Sequence, residues 1–239
     1  MSELYVLGTP IGNLGDITLR ALETLKNVDF IACEDTRHTL QLLNHFEIKK
    51  PLISCRAQNE KFAGEKIVKL LDEGHSVAYA SDAGTPGISD PGAVLVDIVR
   101  EKNHKVIPIP GPSAFATLTS VVGSGGKTLI FEGFLSPKAG KRKSRVKELL
   151  ATGDAFVIYE SPFRITKLLA DISDIESERK VVVGRELTKL HEEIISGTAK
   201  EIFNDFSSRQ SIKGEFAVFI SGIKRIKISE EITDNNLEG

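Results

Sequence analysis

Val77-Ala78-Tyr79-Ala80 runs directly into Ser81-Asp82-Ala83-Gly84-Thr85-Pro86-Gly87, an apolar run followed at once by small, turn-forming residues. In an open parallel sheet, ligands bind in the crevice at the carboxyl ends of the strands, where backbone groups leave the ladder and side chains converge. The stretch therefore predicts a strand that ends in a binding loop. Working outward, Leu4-Tyr5-Val6-Leu7-Gly8-Thr9-Pro10-Ile11-Gly12-Asn13 repeats the arrangement near the start of the chain. Ile31-Ala32-Cys33-Glu34-Asp35-Thr36-Arg37 places charge at a third strand end. Three such ends in one half of the chain predict one shared cleft.

β-Branched runs at 4–8, 29–34, 51–55, 76–81 and 105–109 alternate with helical patterns, which put Leu19, Leu22 and Leu25, or Ile67, Leu70 and Leu71, on single faces. This alternation predicts an α/β fold with a parallel N-terminal sheet rather than a sandwich. Pro91 after Asp90 marks a helix start, and Ser113 after Pro112 is placed to cap a helix over 114–121. The composition changes at Gly123-Ser124-Gly125-Gly126. Beyond it the pattern reads strand 128–134, helix 141–151, strand 155–160, helix 163–172, strands 180–186 and 192–197, helix 199–206 and strand 215–221, which implies a mixed sheet. The expected division is an N-terminal α/β domain over 1–122, a linker over 123–127, a C-terminal α/β domain over 128–223 and a charged tail over 224–239.

The chain has 239 residues, enough to bury a substantial core, and its 31 Lys plus Arg against 33 Asp plus Glu leave a net charge of −2. A polyanion partner must therefore be met by a local patch. Lys138, Lys141, Arg142, Lys143 and Arg145 supply one: five positive charges in eight residues, at a helix start where the dipole disfavours cations. Cys33 and Cys55 lie in apolar, strand-like settings without CxxC or ligand-spaced His, so they read as buried reduced thiols in a cytoplasmic protein. Met1-Ser2-Glu3 leads straight into a strand and no window approaches 18 apolar residues, so no membrane association is expected. No dedicated metal-ligand cluster is evident. Gly123-Ser124-Gly125-Gly126-Lys127-Thr128 ends like a phosphate-binding P-loop, but Val121 stands where that motif needs glycine and a helix precedes it.

Six segments carry a family likeness: Gly8-Thr9-Pro10-Ile11-Gly12-Asn13-Leu14, Cys33-Glu34-Asp35-Thr36-Arg37, Ser81-Asp82-Ala83-Gly84-Thr85-Pro86, Pro110-Gly111-Pro112-Ser113-Ala114, Tyr159-Glu160-Ser161-Pro162 and Arg185-Glu186-Leu187-Thr188-Lys189. In this order and spacing the chain resembles the ribosomal RNA small subunit methyltransferase I family of the tetrapyrrole methylase superfamily, from about residue 3 to residue 222. The resemblance implies two α/β domains with S-adenosyl-L-methionine in the cleft between them, and a homodimer. It also implies 2'-O-methylation of a cytidine in the decoding centre of 16S rRNA, in the small ribosomal subunit.

By the same resemblance Gly8, Thr9, Pro10, Ser81, Asp82, Ala83, Gly84, Thr85, Ser113 and Ala114 hold the methyl donor, joined by Glu160 and Ser161. The alternative for the glycines and prolines is that they only shape βα turns. Methyl transfer to a ribose hydroxyl requires positioning and removal of a weakly acidic proton. Glu34, Asp35, Arg37 and Glu186 are the candidates for that chemistry, against the alternatives of a local salt bridge, a helix cap or a solvated strand edge. Arg164 joins the basic run as a candidate RNA contact. Two rivals stand beside this reading: a methylase of a small tetrapyrrole, and a non-catalytic RNA-binding assembly factor. The chain departs from the family at Phe163, where relatives commonly have His, and in its acidic tail of Glu230, Glu231, Asp234 and Glu238.

Overall fold

A computed structural model of the chain describes residues 2–123 and 126–223, so the 224–239 tail and the centre of the expected linker lie outside the described residues. The first half contains β1 (Glu3–Leu7), α1 (Leu19–Asn27), β2 (Phe30–Cys33), α2 (Thr36–His45), β3 (Leu52–Ser54), α3 (Glu60–Asp72), β4 (Val77–Ala80), α4 (Ala93–Glu101) and β5 (Lys105–Ile109). The strands form one sheet in the order β3-β2-β4-β1-β5, and every pair is parallel. Helices cover both faces, which is why all four residues of β4 are buried and apolar instead of alternating. Ile67, Leu71, Leu95 and Val99 of α3 and α4 pack on Leu4, Val77 and Tyr79. On the other face Ala21, Leu25 and Leu43 of α1 and α2 meet Leu7, Ile31 and Ala78. α2 has no counterpart in the sequence reading, because Arg37, His38, Gln41 and Asn44 dilute the stripe that buries Thr39, Leu42 and Leu43.

After α5 (Ala114–Thr119), the second half contains β6 (Leu129–Phe134), α6 (Ala139–Thr152), β7 (Ala155–Glu160), α7 (Ile165–Ile175), β8 (Lys180–Arg185), β9 (Glu193–Thr198), α8 (Ala199–Ser208) and β10 (Phe216–Ile220). Its sheet runs β6-β7-β10-β8-β9, parallel only between β6 and β7, and so is mixed as expected. α6, α7 and α8 close one face over Phe156, Val183 and Val218. α5 covers the other, with Leu118 against Val157, Ala217 and Phe219. A division at 123–127 thus separates α5 from the sheet it packs on.

One helix start and one helix cap differ from the sequence reading. α4 begins after Gly92, not at Pro91, and Gly92 has no side chain to cap it. Glu60 of α3 does so instead, its Oε1 accepting from the N–H groups of Gly92 at 2.8 Å and Leu95 at 2.9 Å. Gly92 holds φ +132°, and a Cβ there would stand 2.7 Å from the Tyr79 ring, so glycine is required. Ser113 does precede α5, yet its side chain makes no cap bond to the helix. The hydroxyl oxygen of Tyr159, on β7, accepts from Phe115 N–H at 2.7 Å and so ties the second sheet to the end of the first half. Cys33 and Cys55 are buried and unpaired. Among the described residues no helix is long and apolar enough to cross a membrane.

Candidate active site

A cavity of about 390 Å³ lies where the loops after β4 and β5 meet the ends of β6, β7 and β8. The first half contributes Ile11, Ala83, Gly84, Thr85, Ile88, Ser89, Asp90, Ser113 and Ala114. The second contributes Phe134, Tyr159, Glu160, Ser161 and Pro162, with Gly184, Leu187, Lys189 and Glu215 to Ala217 across the floor. Of the residues expected to hold a donor, Ala83, Gly84, Thr85, Ser113, Ala114, Glu160 and Ser161 line this space. Gly8, Thr9, Pro10, Ser81 and Asp82 do not.

The second group stands around the wall. Thr9 and Gly84 exchange backbone hydrogen bonds of 2.8 and 3.1 Å, and the Thr9 hydroxyl donates to Ser81 C=O at 3.3 Å. Gly8 lies against Gly111 so closely that a Cβ on Gly8 would fall 2.7 Å from the Gly111 Cα. Asp82 accepts from Asp35 N–H at 2.9 Å, which joins the loop after β4 to the loop after β2.

Glu160 is 2 % exposed. Its Oε1 accepts from Ser161 N–H at 2.8 Å and pairs with Arg164 Nη2 at 2.7 Å. Its Oε2 is buried and has no partner. Buried carboxylate oxygens are costly to leave unpaired, and a donor group entering the cavity would satisfy this one. Asp90 also lies on the wall. Burial pushes its carboxyl up and the carboxylates of Asp82 and Glu215 add to this, against a hydrogen bond with Ser81 that opposes it. Asp90, Phe134, Tyr159, Pro162 and Glu215 also line the cavity and are not among the site residues expected from sequence. Asp90 was legible there only as a helix-start signal, and Phe134 only as the end of a strand.

None of the four expected catalytic residues, Glu34, Asp35, Arg37 and Glu186, lines the cavity. Asp35 caps α2 through Arg37 N–H at 2.9 Å and pairs with Arg37 Nη2 at 2.7 Å. Those bonds hold its carboxyl well below the usual range. The Arg37 side chain remains 85 % exposed. Burial raises the Glu34 carboxyl, helped by the charges of Asp82 and Asp90. Burial would raise Glu186 as well, but hydrogen bonds from Lys189 Nζ and Glu215 N–H, both 2.9 Å, hold it below its ordinary value. Glu186 thereby fixes the turn that carries Lys189 into the cavity.

The basic run does not face solvent as one patch. Arg142 is 5 % exposed, and its Nε donates to Asp171 at 2.7 Å inside the second core, so it is no surface cation. Lys143 pairs with Asp174, Arg145 with Glu132 and Glu148, and Arg164 with Glu160. Lys138 and Lys141 are exposed and have no ion pair among the described residues. Among those residues, too, no group of three or more His, Cys, Asp or Glu is placed to hold a metal ion.

The sequence model of the Tetrapyrrole (Corrin/Porphyrin) Methylases matches residues 3–202. The chain is 47 % identical over 219 residues to ribosomal RNA small subunit methyltransferase I of Borrelia garinii, covering 91 % of this chain and 98 % of that one. It is 45 % identical over 222 residues to the protein of the same name from Thermotoga maritima, covering 93 % and 99 %. Among solved structures, the methyltransferase CobJ superposes with a TM-score of 0.69 at 14 % identity, over 95 % of this chain and 97 % of that one, a likeness of fold. Two α/β halves closing on one cavity, together with identity near one half across almost the whole length, make the chain a member of the ribosomal RNA small subunit methyltransferase I family of tetrapyrrole methylases.

Proposed function

We propose that the chain methylates the ribose 2'-hydroxyl of a cytidine in the decoding centre of 16S rRNA, within the small ribosomal subunit, using S-adenosyl-L-methionine. Family membership supports methyl transfer to rRNA. The unpartnered Glu160 Oε2, on the wall of a cavity otherwise built from small residues, carries the choice of donor. This donor bears an ammonium, ribose hydroxyls and an adenine amino group, any of which donates to such an oxygen. The cavity of about 390 Å³ falls in the usual range of small-molecule sites, and Ala83, Gly84, Ser113, Ala114, Gly184 and Ala217 admit a ligand close to the backbone. When bound, S-adenosyl-L-methionine supplies an electrophilic methyl group on a sulfonium.

The chain's own residues do the rest. Ala83, Gly84, Thr85, Ser113, Ala114, Glu160 and Ser161 bind the donor, while Gly8, Thr9, Pro10, Ser81 and Asp82 hold those loops in place. The O–CH₃ bond would form as the S–CH₃ bond of the sulfonium breaks, leaving a neutral thioether, and Asp90 would take the hydroxyl proton. Burial makes this carboxylate a stronger base than an exposed aspartate. Glu34, Asp35 and Arg37 line the acceptor side, where Arg37 offers a phosphate the guanidinium donors that Asp35 leaves free. Glu186 positions Lys189. Lys138, Lys141, Lys143, Arg145 and Arg164 favour the RNA electrostatically. The enzyme works in the cytoplasm as a homodimer.

The test is transfer of labelled methyl to small subunits lacking the modification, with the labelled nucleotide mapped. A 2'-O-methylcytidine in the decoding centre is the expected product. Donor binding without transfer to rRNA would move the assignment to a small tetrapyrrole-like acceptor, and absence of donor binding to a non-catalytic factor. Full methylation by Arg37→Ala would remove Arg37 from the acceptor side.

A further inference from the structure

Two phenyl rings at and next to the cavity wall leave much of their surface open. Phe134 lines the cavity and is 57 % exposed, and Phe163 is 86 % exposed. Phe163 has no ring partner among the described residues, whereas Phe131 and Phe134 each contact Tyr159 edge-to-face.

Both rings are held where they are by specific local structure. In β6 the register against β7 shifts between Phe131 and Gly133, and Gly133 adopts φ +69°. Regular alternation would put Phe131 and Phe134 on opposite faces of the sheet. The extra residue puts them on the same face, opposite Val157 and Tyr159, and so turns Phe134 to the cavity side. Phe163 sits at the tip of the turn Ser161–Arg164, closed by Arg164 N–H to Ser161 C=O at 3.1 Å. Glu160 grips this turn at both ends, through Ser161 N–H and the Arg164 guanidinium. Arg164 Nη1 also reaches the carbonyl of Leu135, the residue after Phe134, at 3.4 Å. The turn that bears Phe163 is therefore tied to the strand end that bears Phe134, beside the cavity that Phe134 lines. Lys138 and Lys141, the exposed cations of the basic run without an ion pair, follow within a few residues of Phe134.

We infer that Phe163 and Phe134 form a stacking platform for an unstacked base of single-stranded RNA beside the target nucleotide, with Lys138 and Lys141 taking its phosphates. This rests on the rRNA reading above and identifies how the nucleotide strand is presented to the cavity. Base faces bind aromatic rings only when released from a helix, and a positive groove beside such rings is the usual arrangement for single strands. The charge of this segment argues for RNA over an apolar protein surface, because Lys138 and Lys141, exposed and without an ion pair where the chain leaves Phe134, would be desolvated by the latter without compensation.

The experiment compares the wild-type chain with Phe163→Ala, Phe163→Leu and Phe163→Tyr. It measures the KM for unmodified small subunits, the affinity for S-adenosyl-L-methionine, and binding of an unstructured oligoribonucleotide, which needs no transfer. Stacking on one base predicts that Ala and Leu raise the KM and weaken oligonucleotide binding roughly tenfold, while donor affinity holds and Tyr restores both. Wild-type values in Phe163→Ala, rescue by Leu equal to that by Tyr, or a loss that follows donor affinity would each overturn the platform. So would a shift in oligomeric state with unchanged RNA binding, which would assign the ring to a second copy of the chain. If the wild-type chain binds the oligonucleotide through Phe163 but transfers no methyl to rRNA, the platform stands and the choice of substrate fails.

Discussion

Removing the Glu60 carboxylate tests how the fold holds the cavity wall. α4 starts at a glycine with no capping side chain, immediately after Ser89, Asp90 and Pro91, so the loop bearing Asp90 is anchored only as well as that helix end. Glu60, 7 % exposed, satisfies two of the free N–H groups there, at 2.8 and 2.9 Å. Hydrogen bonds to a charged acceptor contribute about 1.5–3 kcal/mol each, and the negative charge also favours a helix N-terminus. Glu60→Ala should therefore cost about 3 kcal/mol, whereas Glu60→Gln keeps an acceptor and should cost about 1 kcal/mol. Urea denaturation reads this directly: with a slope near 3 kcal/mol/M, Ala lowers the midpoint by about 1 M and Gln by about a third of that. Donor affinity should fall in the same order, because Ile88, Ser89 and Asp90, just before α4, line the site. A Glu60→Ala midpoint within about 0.2 M of wild type, or a Gln variant as damaged as Ala, would refute the capping argument.

Arg142→Ala should destabilise by about 3–5 kcal/mol by leaving Asp171 charged and buried, and joint replacement of both by apolar residues should recover much of the loss in the same denaturation assay. Asp90→Asn should reduce kcat/KM roughly 100-fold or more at neutral pH. In the wild type, burial raises the Asp90 carboxyl, so the acid limb of the kcat/KM profile should lie above the range of an exposed aspartate and vanish in the Asn variant. The same shift means that the folded state favours protonated Asp90, so its contribution to stability falls as pH rises through the raised value. Asn should then be no less stable than wild type at neutral pH. Loss of stability without loss of the acid limb would show that Asp90 is structural.

Much of the architecture is legible because it is local. The apolar run at 77–80 cannot be exposed on either face, and Gly84 at φ +82° turns the chain away from the strand in a conformation most residues avoid. Strand-then-glycine thus announces a buried strand and its binding loop. The same holds for Glu160-Ser161, whose carboxylate bonds the next backbone N–H within its own turn. α2 is not legible in the sequence because polar residues dilute its apolar stripe, and Asp35 and Arg37 read equally as catalytic charge or as a cap and its salt bridge; only the folded structure shows the cap.

The sequence alone determined the parallel first sheet and the mixed second sheet, since strand periodicity and turn residues depend on neighbours along the chain. Tertiary structure decided the rest. Whether Arg142 meets solvent or Asp171 depends on a partner 29 residues away. The cap of α4 comes from a residue 32 positions earlier. Phe134 faces the cavity because one residue is inserted opposite β7, and a pairing register cannot be read from one strand by itself. Burial, capping by distant residues and sheet register are energies of contact between remote segments, and they have no value until the chain has folded.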